Sequence, residues 1–105
     1  MQRLTIVRYK AKQDRLAEDE RLVSDVFDRL RGDGLKGVSY ATFLEADGQS
    51  VVHLFVNHLD DSQEVLTDLP EFKAFGAAIS ERLEAPAEID RLSVVLQESY
   101  NFPTA

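Results

Sequence analysis

The chain has 105 residues, of which 44% are hydrophobic and 30% charged, a composition typical of one soluble globular domain spanning residues 1–105. It contains no cysteine, which excludes disulfides and thiolate metal sites. Nineteen acidic residues against twelve basic ones give a formal charge of −7, and this balance opposes binding to nucleic acid or anionic membranes. No apolar run approaches the roughly 20 residues that span a bilayer, and no signal-peptide core is evident, so we expect a cytoplasmic protein.

The first predicted elements are a strand and a long helix. Residues Arg3–Ala11 are rich in β-branched and aromatic side chains, which favours a strand. From about Gln13 to Arg31, apolar residues recur at three-, four- and seven-residue spacings, the pattern of an amphipathic helix, and Gly32 and Gly34 follow as C-terminal signals. The apolar stripe of this helix consists of Leu16, Leu22, Val23, Val26, Phe27 and Leu30.

The middle of the chain predicts a β-hairpin. Two strand-like runs, Val38–Glu45 and Ser50–His58, flank the dipeptide Asp47-Gly48, which is typical of a tight turn because glycine adopts positive φ angles without strain.

The last predicted elements are a second helix and a fourth strand. Pro70 suits the first turn of a helix, Asp68 is a candidate N-cap, and Pro86 ends the element. The final strand is predicted from about Ile89 to Tyr100. The second helix would have an apolar stripe of Phe72, Phe75, Ile79 and Leu83.

The order β-α-β-β-α-β predicts the α+β class with the ferredoxin-like arrangement: a four-stranded antiparallel sheet with two helices on one face. Such a sheet should alternate apolar and polar residues, yet the third strand is apolar on both faces: Val52, Leu54 and Val56 on one, Val51, His53 and Phe55 on the other. Two helices cannot cover both faces. We therefore expect a homodimer formed by sheet-to-sheet packing.

In this pattern the sequence resembles the dimeric α+β barrel superfamily, and within it the small proteins similar to antibiotic biosynthesis monooxygenases. The resemblance rests on the segments "VRYKAK", "GVSYATFLEADGQSVVHLFV" and "LPEFKAFGAAISERL", and it extends from about Leu4 to Tyr100. The resemblance implies a dimeric α+β barrel with a pocket between sheet and helices in each subunit. It also implies an enzyme that oxidises polycyclic phenols without metal or flavin, binding them through Asn, Trp and Arg side chains. This chain has no tryptophan.

The two histidines differ in what they are expected to do. His53 and His58 lie five residues apart in a strand, so their side chains point to opposite faces and cannot readily share a metal. Haem-degrading relatives of the superfamily ligate iron through a helical histidine, so neither haem nor another cofactor is expected. His58 is predicted to be exposed. His53, in phase with Phe55 and Asn57, should be buried, either as a core histidine bonded to a tyrosine or carbonyl or as a general base.

The candidate catalytic residue is therefore His53, without a metal. The candidate substrate-binding residues are Tyr9, Tyr40, Arg8, Asn57 and Phe72. Arg8 could anchor an anionic substrate, but we expect it to pair across the dimer with a carboxylate such as Glu98. The helix aromatics Phe72, Phe75 and Phe27 could line the pocket or belong to the core. The candidate neighbours of His53 are Tyr40, Tyr9, Arg8 and Tyr100.

Two functions stay open from the sequence. One is a cofactor-independent monooxygenase or isomerase that acts on an aromatic or conjugated small molecule. The other is a non-catalytic, small-molecule-binding or stress-associated homodimer with the same pocket. A third alternative is a structural dimer whose pocket is filled by side chains.

Overall fold

A computed structural model describes residues 2–58 and 66–101. Its elements follow the predicted order: strand β1 (Gln2–Lys10), a 3-10 turn (Gln13–Arg15), helix α1 (Leu16–Asp33), strands β2 (Val38–Leu44) and β3 (Ser50–Asn57), helices α2 (Pro70–Gly76) and α3 (Ile79–Arg82), and strand β4 (Glu88–Val94). The strands form one antiparallel sheet in the order β2-β3-β1-β4. The α+β class and the ferredoxin-like arrangement are thereby confirmed. Within the described ranges, none of the helices combines the length and the apolar character needed to cross a bilayer.

The register of the sheet assigns each strand residue to one of two faces. Val7 pairs with His53 on β3 and with Ile89 on β4, and His53 in turn pairs with Thr42 on β2, so these residues share the face that α1 and α2 cover. The core on this face joins Tyr9 and Val51 of the sheet to Val26 of α1, Phe75 of α2 and Leu83. Burial of this kind of apolar surface is the main favourable contribution to folding.

The opposite side of the sheet, which we call the outer face, is apolar and partly exposed. Phe43 and Leu92 are the most open of its apolar side chains, at 55% and 46%. The apolar residues of the outer face are Leu4, Ile6, Ala41, Phe43, Val52, Leu54, Val56, Leu92 and Val94. The prediction that β3 is apolar on both faces is thus confirmed.

The predicted hairpin is also confirmed. Gly48 has a φ of +75°, and the Asp47 carboxylate accepts hydrogen bonds from the backbone N–H groups of Gln49 and Ser50 and from the Ser50 hydroxyl, at 2.9, 2.8 and 2.6 Å. These three donors hold the pKa of Asp47 down at about 2 because they stabilise its charged form.

The second helical segment and the last strand differ most from the predictions. The second helix is not continuous: α2 ends at Gly76, Ala78 has a left-handed φ of +54°, and the short helix α3 follows. The N-cap of α2 is Leu69 instead of Asp68, without a side-chain hydrogen bond. The last strand ends at Val94 instead of Tyr100, because Val94 pairs with Gln2, the first residue of its partner β1.

Candidate functional site

A cavity of about 510 Å³ lies between the covered face of the sheet and helices α2 and α3. Its wall is mostly apolar and aromatic, as is usual for small-molecule pockets. The residues that line it are Arg3, Thr5, Val7, Val38, Tyr40, His53, Phe55, Asn57, Leu66, Thr67, Phe72, Phe75, Gly76, Ile79, Ala87, Ile89 and Arg91. Among the residues that the structure describes, this volume is open space beside His53.

His53 lies in the cavity wall but is almost fully covered, with 1% of its surface exposed. Its two ring nitrogens are each bonded to a tyrosine: Nε2 lies 2.8 Å from the Tyr9 hydroxyl and Nδ1 lies 2.6 Å from the Tyr40 hydroxyl. The prediction that His53 is buried and bonded to a tyrosine is correct. Tyr40 also lines the cavity and is only partly buried, so it is the one of the two tyrosines that a ligand can reach.

The hydrogen bonds continue from Tyr9 to a buried ion pair. The Tyr9 hydroxyl donates to Oδ2 of Asp19 at 2.6 Å, and Nε of Arg82 donates to Oδ1 of Asp19 at 3.2 Å. Asp19 and Arg82 are both 2% exposed. Arg82 also donates to the backbone carbonyls of Phe75 and Ala77, at the end of α2. The series Tyr40–His53–Tyr9–Asp19–Arg82, which we call the relay, therefore connects the cavity wall to the first turn of α1 and to the end of α3.

Burial changes the acidity of the relay's aromatic members. It lowers the pKa of His53 to about 4, so the imidazole is neutral at neutral pH, while the charge of Asp19 acts in the opposite, weaker sense. Burial likewise raises the pKa of Tyr40 above its ordinary value. Burial and the hydrogen bond to Asp19 both raise the pKa of Tyr9.

Sequence reasoning missed Asp19 and Arg82, although a signal for each was present. Asp19 lies on the apolar stripe of α1, three residues after Leu16 and four before Val23. Arg82 lies on the stripe of the second helical segment, three residues after Ile79. Charged residues in phase with a core-facing stripe are expected to be paired, because an unpaired buried charge is costly.

The structure brings most of the predicted site residues together. Tyr40, Asn57 and Phe72 line the cavity, and Tyr9 contacts it indirectly through His53. The aromatic rings around them form a connected cluster, in which Tyr40 stacks on Phe27 with ring centroids 4.7 Å apart and Phe75 lies 5.4 Å from the imidazole of His53.

Three other predictions need correction. Arg8 lies on the outer face, away from the cavity where a substrate-binding residue was expected, and its guanidinium donates to both carboxylate oxygens of Glu45 in the same chain at 2.8 and 3.1 Å. Its pairing with Glu98 across a dimer stays a prediction. Tyr100 is 90% exposed and is not a neighbour of His53. His58 is half-buried instead of exposed, because its ring lies 2.8 Å from the Ser39 hydroxyl and 3.2 Å from the Gln2 amide nitrogen.

The charged residues of the cavity wall are basic. Arg3 and Arg91 lie diagonally opposite on β1 and β4, since Thr5 pairs with Arg91 and Arg3 pairs with Ser93. The lining contains no aspartate or glutamate among the residues the structure describes, although the chain as a whole carries a charge of −7. In the same described part of the chain, no three metal-ligating side chains cluster together.

Comparison with known proteins identifies a fold. No protein-family model matches the sequence, and no curated protein matches it significantly. Among solved structures, Rv0793 from Mycobacterium tuberculosis superposes with a TM-score of 0.77 at 19% identity, over 94% of this chain and 100% of that one. A protein of Caulobacter crescentus CB15, provisionally named an antibiotic biosynthesis monooxygenase, has a TM-score of 0.73 at 18% identity, over 90% and 91%.

A third structure, from Bacteroides thetaiotaomicron VPI-5482 and provisionally named in the same way, has a TM-score of 0.75 at 13% identity and covers 94% of both chains. Identities this low establish similarity of fold and leave the activity open. The chain therefore has the α+β fold of proteins that resemble antibiotic biosynthesis monooxygenases.

Proposed function

We propose that this protein is a cofactor-independent monooxygenase or isomerase that acts on an aromatic or conjugated small molecule held in the cavity. The observation that carries the proposal is the hydrogen-bonded pair of His53 and Tyr40 in the wall of an otherwise apolar pocket. Solved structures with similar folds bear the name monooxygenase, which supports the reaction class.

Proton removal is the step that the relay can perform. Tyr40 accepts a proton from the ligand while passing its own to Nδ1 of His53, whose neutral form is available as a base. The imidazolium that forms lies one hydroxyl away from the Asp19 carboxylate, whose charge favours it. A conjugated ligand stabilises the resulting anion by delocalisation, which compensates for a weak base.

The anion then reacts in one of two ways. For an oxygenase, the balanced change at the ligand is CH₂ + O₂ → C=O + H₂O, in which the carbon loses four electrons to dioxygen and the two hydrogens leave in water. For an isomerase, the relay returns the proton to a different carbon and no oxidant is needed.

The charges of the wall indicate what the ligand carries besides a ring. Arg91 supplies positive charge at the β4 side of a pocket lined elsewhere by Phe55, Phe72 and Phe75. A ligand with an aromatic body and a carboxylate or other anionic group matches both features, because guanidinium groups bind such anions through paired hydrogen bonds.

The runner-up is a non-catalytic protein that binds the same ligand. It is favoured by the completeness of the relay, since both nitrogens of His53 and the Tyr9 hydroxyl have partners without any ligand. Buried polar groups are usually satisfied in this way for structural reasons alone.

The assembly we propose is a homodimer packed through the outer face. Apolar residues from all four strands are partly exposed there, a patch that a soluble monomer rarely presents to water. A second copy offers the same apolar surface, so a twofold axis would bury both at once.

Oxygen uptake distinguishes the two functions. Phenols, naphthols and anthrones would be screened with the wild type and with H53Q, and H58Q serves as the control because His58 lies on the other face of the sheet. Catalysis predicts turnover that H53Q loses and H58Q keeps. Binding of these compounds without consumption of oxygen or isomerisation, equally in all three proteins, would favour the binding protein.

A further inference from the structure

The buried pair of Asp19 and Arg82 lies behind Tyr9 and does not line the cavity. We infer that Asp19, held by Arg82, is a positioning residue: it determines which nitrogen of His53 carries the hydrogen, and thereby makes Tyr40 a hydrogen-bond acceptor toward the cavity.

The inference begins at the Asp19 carboxylate, which can only accept hydrogen bonds. Arg82 donates to Oδ1 and also to two carbonyls at the end of α2, so both the guanidinium and the carboxylate are held in place. Oδ2 lies 2.6 Å from the Tyr9 hydroxyl. The single hydrogen of Tyr9 must therefore point at Asp19.

The direction of every later bond follows from this one. Because Tyr9 donates its only hydroxyl hydrogen to Asp19, its oxygen can only accept a hydrogen bond from His53. The imidazole must therefore carry its hydrogen on Nε2. A neutral imidazole then has a bare lone pair on Nδ1, and this nitrogen accepts from Tyr40 at 2.6 Å. The hydrogen of Tyr40 is thus directed away from the cavity, and its oxygen lone pairs are free to accept.

The opposite direction would satisfy the tyrosines and the histidine equally well if Asp19 were able to donate. Tyr9 would then donate to Nε2, Nδ1–H would donate to the Tyr40 oxygen, and the Tyr40 hydrogen would point toward a ligand. The number of hydrogen bonds among the three rings is the same in both arrangements. Asp19 is thus the residue that selects one of them.

The consequence for ligands rests on the proposed function, whereas the tautomer does not. A Tyr40 oxygen that accepts should favour a ligand with a hydroxyl or amine group over one with an ether or carbonyl in the same place. The tautomer of His53 and the ligand preference are therefore tested by separate measurements, and either claim can be refuted without the other.

The first measurement is the tautomer of His53 in the free protein at neutral pH, from the ¹⁵N chemical shifts of its ring. We expect the wild type to carry the hydrogen on Nε2. D19N can donate through its amide, and Y9F removes the link while leaving the ion pair intact, so both should populate the form with hydrogen on Nδ1. D25N is the matched control on an exposed position of α1, and the ring of His58 serves as an internal reference.

A wild-type His53 with its hydrogen on Nδ1, or a folded D19N or Y9F that keeps it on Nε2, would overturn the inference. Should D19N not fold, Y9F decides the question alone. The second measurement compares 1-naphthol with 1-methoxynaphthalene by calorimetry. We expect the naphthol to bind wild type at least fivefold more tightly and the preference to shrink in Y9F. Equal affinities with the expected tautomer would count against the proposed ligand class and leave the role of Asp19 intact.

Discussion

The hydroxyl of Tyr9 lies 2.6 Å from Asp19 and 2.8 Å from His53, so one group joins a buried carboxylate to a buried imidazole. Burial keeps His53 neutral, and the two tyrosine hydroxyls bond both of its ring nitrogens without exposing it to water. A histidine held in this way is both a stability element and a candidate base, and both roles require its neutral form.

The stability of the protein should fall between pH 6.5 and pH 4 because of His53. In the unfolded chain the imidazole has an ordinary pKa of about 6.5, whereas burial lowers it to about 4 in the folded protein. The unfolded state therefore binds more protons in this range, and the free energy of unfolding decreases as the pH falls. The difference between the two pKa values corresponds to about 3 kcal/mol.

Urea unfolding at a series of pH values measures this contribution. H53Q is the reference, because other groups such as Asp47 also titrate at low pH, and the difference between the two proteins isolates the histidine. Parallel pH dependences for wild type and H53Q would contradict the prediction.

Two glycines at the end of α1 should respond in opposite directions to alanine. Gly34 has a φ of +57°, and its N–H caps the helix by donating to the carbonyl of Arg31. G34A should lower the free energy of unfolding by about 1 kcal/mol, because a side chain is strained in the left-handed region. Gly32 lies within the helix without a positive φ, so G32A should raise the free energy of unfolding by up to about 1 kcal/mol.

Thermal or urea unfolding of the two variants tests this pair. Neither added methyl group would meet an atom within 4 Å, so packing does not complicate the comparison. Destabilisation by both substitutions would mean that the end of α1 differs from the arrangement described above.

Dimerisation should depend on Phe43 and not on its neighbour Leu44. Both side chains are 55% exposed, but Phe43 lies on the outer face and Leu44 on the opposite side of the same strand. F43D should convert a dimer of twice 11.8 kDa to a monomer by placing a charge in the proposed interface, while L44D should leave it unchanged.

Sedimentation velocity at micromolar concentration provides the measurement, with circular dichroism to verify folding. A wild type that sediments as a monomer would refute the dimer, and equal dissociation by L44D would argue for a different interface.

Anionic aromatic ligands should bind through Arg91. The fluorescent probe 1-anilinonaphthalene-8-sulfonate combines two rings with a sulfonate, and N-phenyl-1-naphthylamine is its neutral counterpart. R91Q should weaken binding of the sulfonate about tenfold, the value of one charged hydrogen bond, and should leave the neutral probe nearly unaffected.

Fluorescence titration gives both affinities, and R21Q on the exposed side of α1 is the control for a general change in charge. Equal loss of the two probes in R91Q would indicate a change in cavity shape instead of a lost charge contact.

Periodicity predicted the fold and the burial of His53, because both depend on how side chains alternate between the two faces of a strand. This alternation can be read directly from the sequence. It also predicted Tyr9 and Tyr40 as neighbours of His53. The ion pair was not predicted, since periodicity analysis follows apolar residues and Asp19 interrupts the stripe to which it belongs. Its partner, Arg82, is 63 residues away, and only the folded chain brings the two together.

The break between α2 and α3 could not be predicted from its residues. Gly76, Ala77 and Ala78 include no proline, and alanine normally favours a continuous helix. Ala78 nevertheless has a left-handed backbone, and Arg82 donates to the carbonyls of Phe75 and Ala77 that the broken helix leaves available. Side-chain hydrogen bonds from Arg82, five and seven residues further along the chain, thus compensate for an unfavourable backbone conformation.

The central position of β1 links the two sides of the molecule through adjacent residues. Arg8 is bonded to Glu45 on the outer face, and Tyr9, the next residue, is bonded to His53 and Asp19 on the other. Insertion or deletion of one residue within β1 would exchange these environments, placing a guanidinium in the core and a tyrosine outside. The strand can therefore tolerate no change of length, because the relay and the outer face depend on the same alternation.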